Sequence, residues 1–492
     1  MRRMCVSAAT TVTAIAAVIL LAVTPMTSVA VTLAATALFM GGTGHPLSNP
    51  PDSSAYIADY VDNAYNRYVA PSGLCSGGDP GPCVQVAVYT PEQFKLDTGL
   101  RDMTFDQSVA EGQANLDACL RGLPCTITRS PFETTGAPEA LTDTSYVVFG
   151  YSQSATIASN EKADLIAHPV KGTTVTFVLI SNPNRPNGGV LERFVGLYIP
   201  IIGVSFNGAT PTNSPKANAM TTVDVAQQYD PVADFPTNPL NLLADLNVAL
   251  GFIYLHPETS YFNADSLELQ GQYQDTTYYL APTATLPLLM PVEHIPVIGA
   301  AIAATLDPPL RVLVETGYDR TINPGQPTPA NLLYFPNPVA TTKNFLVAIP
   351  TGWDNGIATI TNDPANRPFH TEPQGTYGVG GPPVDTGAID PYGDPTPYAA
   401  PNTTVPQQDS TPAVTAVEQQ APSPLAGAQH GTTTPQVTRP NRPTTRVGLA
   451  FEPKRLTTAR PAGERPLRTL LDRLTGKSEA DTPAPSSEDA AA

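Results

Sequence analysis

Apolar positions in the first two thirds of the chain follow two alternating spacings. Compact apolar runs at Thr32 to Met40, Val84 to Tyr89, Ser145 to Phe149, Thr173 to Ile180 and Thr221 to Gln227 have the length and composition of strands. Between them apolar residues recur three or four apart. Ser54 to Tyr68 carries Tyr56, Ile57, Tyr60, Val61 and Tyr65. Thr104 to Leu120 carries Phe105, Val109, Leu116 and Leu120, with Gly112 interrupting the stripe. Helical patterns also run from Ser152 to Ala167 and from Leu240 to Tyr254, and Arg311 to Glu315 and Asn344 to Ile349 read as late strands. Helices alternating with apolar strands predict an α/β domain with a mostly parallel central sheet covered on both faces.

Two segments break this rhythm. Val190 to Phe206 crowds Phe194, Val195, Leu197, Tyr198, Ile199, Ile201 and Ile202 together with little charge. It reads as a buried insertion or as a flap over an apolar acyl pocket. Thr283 to Leu306 is broken by prolines and carries Glu293 and His294, which suits a buried irregular segment better than a membrane span.

The ends of the chain differ from its middle. Arg2 and Arg3 precede the apolar run Ala14 to Val23, and Ser28 and Ala30 suit signal-peptidase cleavage. Residues 1–30 are therefore expected to be a signal peptide or an uncleaved membrane anchor, and the protein to be exported. The catalytic-sized domain is expected over residues 31–375. Pro, Thr, Gln, Gly and Ala then dominate, so residues 376–438 read as a disordered linker. Residues 439–492 form a tail that is basic from Arg439 to Lys477, where Leu467, Leu470, Leu471 and Leu474 suit one short amphipathic helix. Such a tail is a solvated segment or one drawn to an anionic lipid or cell-wall surface. The formal net charge of −17 excludes a nucleic-acid binder.

Beyond Cys5 in the leader, the cysteines fall in two local pairs, Cys75 with Cys83 and Cys119 with Cys125. Short Gly/Pro-containing loops and the absence of nearby histidine favour two disulfides over zinc, in keeping with export. No ligand-spaced cluster calls for a metal or cofactor.

The strand ending at Phe149 runs into Gly150-Tyr151-Ser152-Gln153-Ser154 and then a helix. A serine on a strand-to-helix turn, with small residues two before and two after, is the pattern of a nucleophile elbow, here with Ser154 where a second glycine is commoner. A serine hydroxyl needs an imidazole base oriented by a carboxylate. In hydrolase order, serine then acid then histidine, Asp230 and His256 follow Ser152. Asp234 competes with Asp230, and His294 with His256. Asp319 requires the wrong order, His45 precedes the serine, His168 ends the nucleophile helix, and His370 and His430 lie at or beyond the domain's end. The oxyanion of a tetrahedral intermediate needs fixed N–H donors. Gln153, next to the nucleophile, supplies one, and the loop Gly42-Thr43-Gly44 supplies another, to which Thr43 adds its hydroxyl.

Five ordered stretches then carry a resemblance: Phe39-Met40-Gly41-Gly42-Thr43-Gly44; the elbow itself; Asn182-Pro183-Asn184-Arg185-Pro186-Asn187-Gly188-Gly189; Tyr229-Asp230-Pro231-Val232-Ala233-Asp234-Phe235-Pro236; and Gly317-Tyr318-Asp319-Arg320. Together, over residues 38 to 345, they resemble the PE-PPE domain of mycobacterial proteins, a cutinase-like serine α/β-hydrolase. Asp230-Pro231-Val232 and His256 with Tyr261 also echo the acid and histidine segments of cutinases, which favours Asp230 over Asp234 and His256 over His294. A leader in place of a PE or PPE domain is similar to the membrane-anchored members that act as acyltransferases on trehalose-based cell-envelope lipids.

The expected function is an exported serine esterase or lipase-like hydrolase that acts on fatty-acyl esters or glycolipids through a Ser152 acyl-enzyme. The alternative passes the acyl group to a sugar hydroxyl of a trehalose-type glycolipid. A third reading, a non-catalytic surface-binding protein at a membrane or cell-envelope surface, conflicts with the complete set of nucleophile, acid, base and oxyanion loop.

Overall fold

A computed structural model describes residues 35–75, 83–257 and 267–382. The leader with Cys5, Tyr261, most of the linker, and the basic tail with its leucines lie outside the described residues.

The core is an eight-stranded sheet. Its strands are β1 (Thr36–Phe39), β2 (Val84–Val88), β3 (Ile127–Arg129), β4 (Ser145–Tyr151), β5 (Thr174–Ile180), β6 (Thr222–Gln227), β7 (Glu268–Tyr273) and β8 (Thr276–Ala281). Their spatial order is β7-β8-β6-β5-β4-β1-β2-β3. The six inner strands are parallel, and β7 and β3 pair antiparallel at the two edges. The expected mostly parallel sheet is therefore present, with antiparallel edges.

Alternate residues of each strand enter separate apolar layers. Ala37, Phe39, Val147 and Phe149 pack on one face with Ile57, Tyr60 and Val61 of helix α1 (Ser54–Ala64). Leu38, Tyr146, Val148 and Phe177 pack on the other with Val109 and Leu116 of α2 (Phe105–Leu120) and Ile157 and Leu165 of α3 (Gln153–Ala167). Burying a side chain such as Phe39 or Phe149 contributes about 1.5–3 kcal/mol each. Helices thus cover both faces.

Local chemistry sets the helix starts. The Ser53 side chain accepts from the Tyr56 N–H to begin α1, and Thr104 with Gln107 forms a reciprocal capping box at α2. Gly112, which interrupts the apolar stripe of α2, is needed there. A Cβ on it would lie 2.5 Å from Ile157 of α3, so the glycine lets the two helices meet closely.

Beyond the sheet, α4 (Leu242–Tyr254) and α5 (Gly299–Glu315) share a core of Tyr229, Ala244, Val248, Leu289, Ala303 and Val314, and α6 (Pro338–Thr361) packs on α5. Two expectations fail here. Arg311 to Glu315 and Asn344 to Ile349 are helix, within α5 and α6. Their β-branched and apolar composition imitates strands, but Gly352 and Gly356 bring α6 against Thr305 of α5, and this packing fixes both as helices. Thr283 to Leu306 is in large part ordered: a turn at Pro287–Leu289, a short helix at Met290–Glu293, and the first half of α5.

The chain runs from β1 to β2 on one side and from β4 to β5 and β6 on the other, so the strand order reverses between β1 and β4. Ligands of open α/β sheets bind beyond the carboxyl ends of the strands at such a reversal. The loop after β1 begins at Gly41, and the turn after β4 holds Ser152. Both stand at that point.

Candidate active site

The turn after β4 is tight for identifiable reasons. Ser152 adopts φ 55° and ψ −116°, a conformation costly for a side-chain-bearing residue. Its N–H donates to the Ile180 carbonyl at 3.1 Å, which holds the turn on β5. A Cβ at Gly150 would fall 2.7 Å from the Ser154 carbonyl and 2.9 Å from the Ala155 Cα, so strand and helix leave no room for a side chain there. Ser154, in the place of the commoner glycine, has a structural use. Its hydroxyl accepts from the Tyr151 N–H at 2.9 Å and donates to the Tyr151 carbonyl at 3.1 Å. Both main-chain groups of the residue before Ser152 are thereby satisfied.

The structure brings Ser152, His256 and Asp230 into one chain of hydrogen bonds. Ser152 Oγ lies 2.9 Å from His256 Nε2, and His256 Nδ1 lies 2.9 Å from Asp230 Oδ1. Asp230 follows β6 and is fully buried, whereas the His256 side chain keeps 12% of its surface exposed at the end of α4. Gly251 lets α4 approach: a Cβ there would sit 2.4 Å from the Tyr229 carbonyl, one residue before the acid. Burial alone raises the Asp230 carboxyl, but the His256 imidazole, with the Ser181 hydroxyl and the Val232 N–H, outweighs it and holds Asp230 below the ordinary aspartate range.

The competing residues are engaged elsewhere. Asp234 pairs with Arg320 at 2.6 Å and accepts the Tyr229 N–H at 2.8 Å, so it braces the loop that presents Asp230. Asp319 accepts from Thr321 in an exposed turn. His294 is exposed and bonds to the Met290 carbonyl. His45 pairs with Asp52 at 2.9 Å and stacks on Tyr56, and His168 pairs with Asp164 at the far end of α3.

The loop after β1 is tied to the residues on either side of Ser152. The Thr43 hydroxyl donates to Gln153 Oε1 at 3.0 Å, and the Gln153 amide nitrogen donates to Ser108 Oγ at 2.7 Å and to the Gln93 carbonyl. The Thr43 hydroxyl proton is thus already committed. Gln153 is the first residue of α3, so its N–H has no intrahelical acceptor, and the Thr43 N–H takes none among the described residues. Neither of these two main-chain donors has a competing partner among the described residues.

Several contributors escaped the sequence analysis. Tyr151 stacks on His256 with ring centroids 5.6 Å apart, and Phe252 lies against it at 5.8 Å with an interplanar angle of 9°. Helical spacing between Phe252 and His256 was the available signal. Glu92 was hidden in a segment that reads only as loop. It is fully buried, neither carboxylate oxygen has a hydrogen-bond partner, and its carbonyl accepts the Gly44 N–H at 2.6 Å. Burial raises its carboxyl well above the ordinary range.

The Val190 to Phe206 segment is a short helix (Val190–Arg193) followed by a hairpin of Tyr198–Ile199 and Val204–Ser205. The hairpin is tied to the start of α2 through Asp106, which accepts from the Ser205 hydroxyl at 2.7 Å, and leaves Ile201 85% exposed. The paired cysteines, Cys75 with Cys83 and Cys119 with Cys125, lie at bonding distance. Among the described residues, the carboxylates close enough to share an ion are Asp117, Glu161 and Asp164 on α2 and α3, where Arg121 already bridges the two aspartates. No described helix is long and apolar enough to cross a membrane.

Comparison with known proteins identifies a domain within the chain. The PE-PPE domain profile matches residues 81–319. Over 350 residues the chain is 36% identical to "Esterase PE16" of Mycobacterium tuberculosis, covering 67% of this chain and 58% of that protein. It is 39% identical to "PE family protein PE3" of the same organism, covering 65% of this chain and 62% of the relative. It is also 29% identical over 255 residues to "SL1278 acyltransferase Chp1" of M. tuberculosis, covering 49% and 55% of the two chains. The chain thus spans about 60% of the length of the first two relatives. No solved structure matches.

Proposed function

With residues 81–319 a PE-PPE domain on an α/β-hydrolase-type sheet, we propose that the protein is an exported serine esterase that cleaves fatty-acyl esters. The observation that carries this reading is the relay from Ser152 to His256 to Asp230, with both links at 2.9 Å. The similarity to a relative named as an esterase supports it.

In this mechanism His256 Nε2 takes the Ser152 proton as Oγ attacks the ester carbonyl carbon. The resulting oxyanion sits against the N–H groups of Gln153 and Thr43. Asp230, kept ionised by its partners, stabilises the imidazolium and fixes its tautomer. Collapse of the intermediate returns the proton from His256 to the departing alcohol and leaves the acyl group on Ser152. A second nucleophile, deprotonated by His256, then attacks the acyl-enzyme and releases the acyl chain.

Water as that second nucleophile gives hydrolysis. A sugar hydroxyl gives acyl transfer, the reading favoured by the similarity to a relative named as an acyltransferase. The apolar flank formed by Phe252, which is 42% exposed beside His256, suits an acyl chain in both cases. The test is incubation of the full chain with a defined acylated trehalose, followed by mass spectrometry of the products. Free fatty acid is expected. Products with more acyl chains than the donor assign transfer instead, and no product, together with no fluorophosphonate labelling of Ser152, overturns the enzymatic reading.

A further inference from the structure

The acid of the relay has one oxygen without a partner. Asp230 Oδ1 receives both the His256 ring and the Val232 N–H, the latter at 3.0 Å. Asp230 Oδ2 is buried and accepts no hydrogen bond of normal geometry. An unpaired carboxylate oxygen away from water is costly, so what faces it matters.

Ser181 faces it. Its hydroxyl is itself buried and without a hydrogen-bond partner, and it is one of the groups that stabilise the Asp230 anion. A buried donor and a buried acceptor, each without a partner, therefore belong to two residues that interact at the relay. Asx turns and helix caps do not account for this serine, because its side chain bonds to no main-chain group.

Its backbone setting is equally particular. Ser181 has φ 46°, a left-handed conformation in which glycine is at ease and serine is strained. The residue before it, Ile180, accepts the Ser152 N–H, and the Ser181 N–H donates to Val225 of β6, the strand that leads to Asp230. One dipeptide at the end of β5 thus bonds to the nucleophile's main chain and to the acid's strand, and interacts with the acid's carboxylate.

We propose that Ser181 is a positioning residue of the relay, whose hydroxyl donates to Asp230 Oδ2 and fixes the carboxylate plane as His256 becomes an imidazolium. Hydrogen bonds in such relays are commonly loose in the unliganded enzyme and tighten along the reaction. The donor acts on no reacting atom. It holds Asp230 anionic and in line with His256 Nδ1, and so acts through the acid. The inference rests on the proposed roles of Ser152, His256 and Asp230.

The experiment compares Ser181→Ala and Ser181→Gly in the full chain, with Ser152→Ala as control, by ester hydrolysis across pH and by the rate of fluorophosphonate labelling. Loss of a charge-assisted hydrogen bond predicts a fall of about tenfold or more in kcat with KM unchanged, and slower labelling. Removing a donor leaves Asp230 and its imidazolium partner more basic, so the acidic limb of the rate profile moves to higher pH. Ser181→Gly relieves the strained φ, so that variant keeps the fold while losing the hydroxyl. Wild-type kcat and an unmoved acidic limb in Ser181→Gly would overturn the inference while an inert Ser152→Ala left the esterase reading intact. Full activity in Ser152→Ala would instead overturn the esterase reading itself.

Discussion

The hydroxyl of Tyr151 donates to the main-chain carbonyl of His256 at 2.6 Å, so the residue before the elbow serine holds the backbone of the histidine that faces it. Strand β4 therefore fixes both partners of the hydrogen bond between Ser152 and His256. Tyr151→Phe keeps the ring stack at 5.6 Å and removes only this anchor. A fall in kcat of about tenfold, from loss of one hydrogen bond worth roughly 1 kcal/mol plus looser placement of the base, is expected with little change in Tm. Steady-state kinetics with a chromogenic acyl ester measure it, and an unchanged kcat would show that α4 alone positions His256.

The two histidines that competed on sequence now separate cleanly. His256→Ala should abolish turnover and slow phosphonate labelling by several orders of magnitude, because no other imidazole reaches Ser152 among the described residues. His294→Ala should act like wild type, since His294 is exposed and bonded to the Met290 carbonyl. The reverse pattern would move the base to His294 and discard the relay.

How much of this was legible beforehand depended on whether a residue's role is local. The elbow could be read because a strand, a small residue, a serine and a helix are neighbours in sequence. The roles of Ser154 and Gly112 were visible only as departures from a pattern. Ser154 satisfies the main chain of Tyr151, and Gly112 admits Ile157. The hairpin of β7 and β8 was missed because Glu268–Tyr273 carries Gly271 and a register shift, which erase the two-residue alternation. The late helices were misread because propensity favoured strands and only the approach of α6 to α5 decides otherwise. Glu92 and Ser181 take their meaning from partners distant in sequence, so no local pattern marks them.

Stability should fall with rising pH through a group unrelated to the relay. Glu161 on α3 is buried, and desolvation followed by the nearby Asp117 and Asp164 pushes its carboxyl up to about 8. Between the ordinary glutamate range and that value the folded chain holds a proton that the unfolded chain has released, so each step up in pH favours unfolding. The cost reaches about 5 kcal/mol at full ionisation, from the displacement to about 8 at about 1.36 kcal/mol per pH unit. Glu161→Gln mimics the protonated form. It should match wild type near pH 5 and exceed it in Tm by several degrees at pH 8 and above. Parallel melting curves for the two proteins across that range would show that Glu161 ionises freely in the fold.

Gly150 and Gly42 make a final pair of opposite expectations. Both are glycines beside Tyr151, and both would bring an added Cβ within 3 Å of other atoms, but the atoms differ in whether they can yield. At Gly150 the obstacle is main chain, the Ser154 carbonyl at 2.7 Å and the Ala155 Cα at 2.9 Å, where β4 turns into α3. Nothing there moves without opening the elbow, so Gly150→Ala should cost about 1–3 kcal/mol or more of stability and be seen first as a drop in Tm. At Gly42 the obstacle is the edge of the Tyr151 ring at 2.8 Å. A ring can tilt, but this one carries the hydroxyl that anchors His256 and the face that stacks on it. Gly42→Ala should therefore spare most of the stability and lower kcat, and adding it to Tyr151→Phe should cost less than the sum of the two single changes because both act through the same ring. Calorimetry and kinetics on the three variants distinguish the cases. A Gly42→Ala protein with normal turnover would mean that the Tyr151 ring can be displaced without disturbing the base, and would assign the placement of His256 to Phe252 and Asp230.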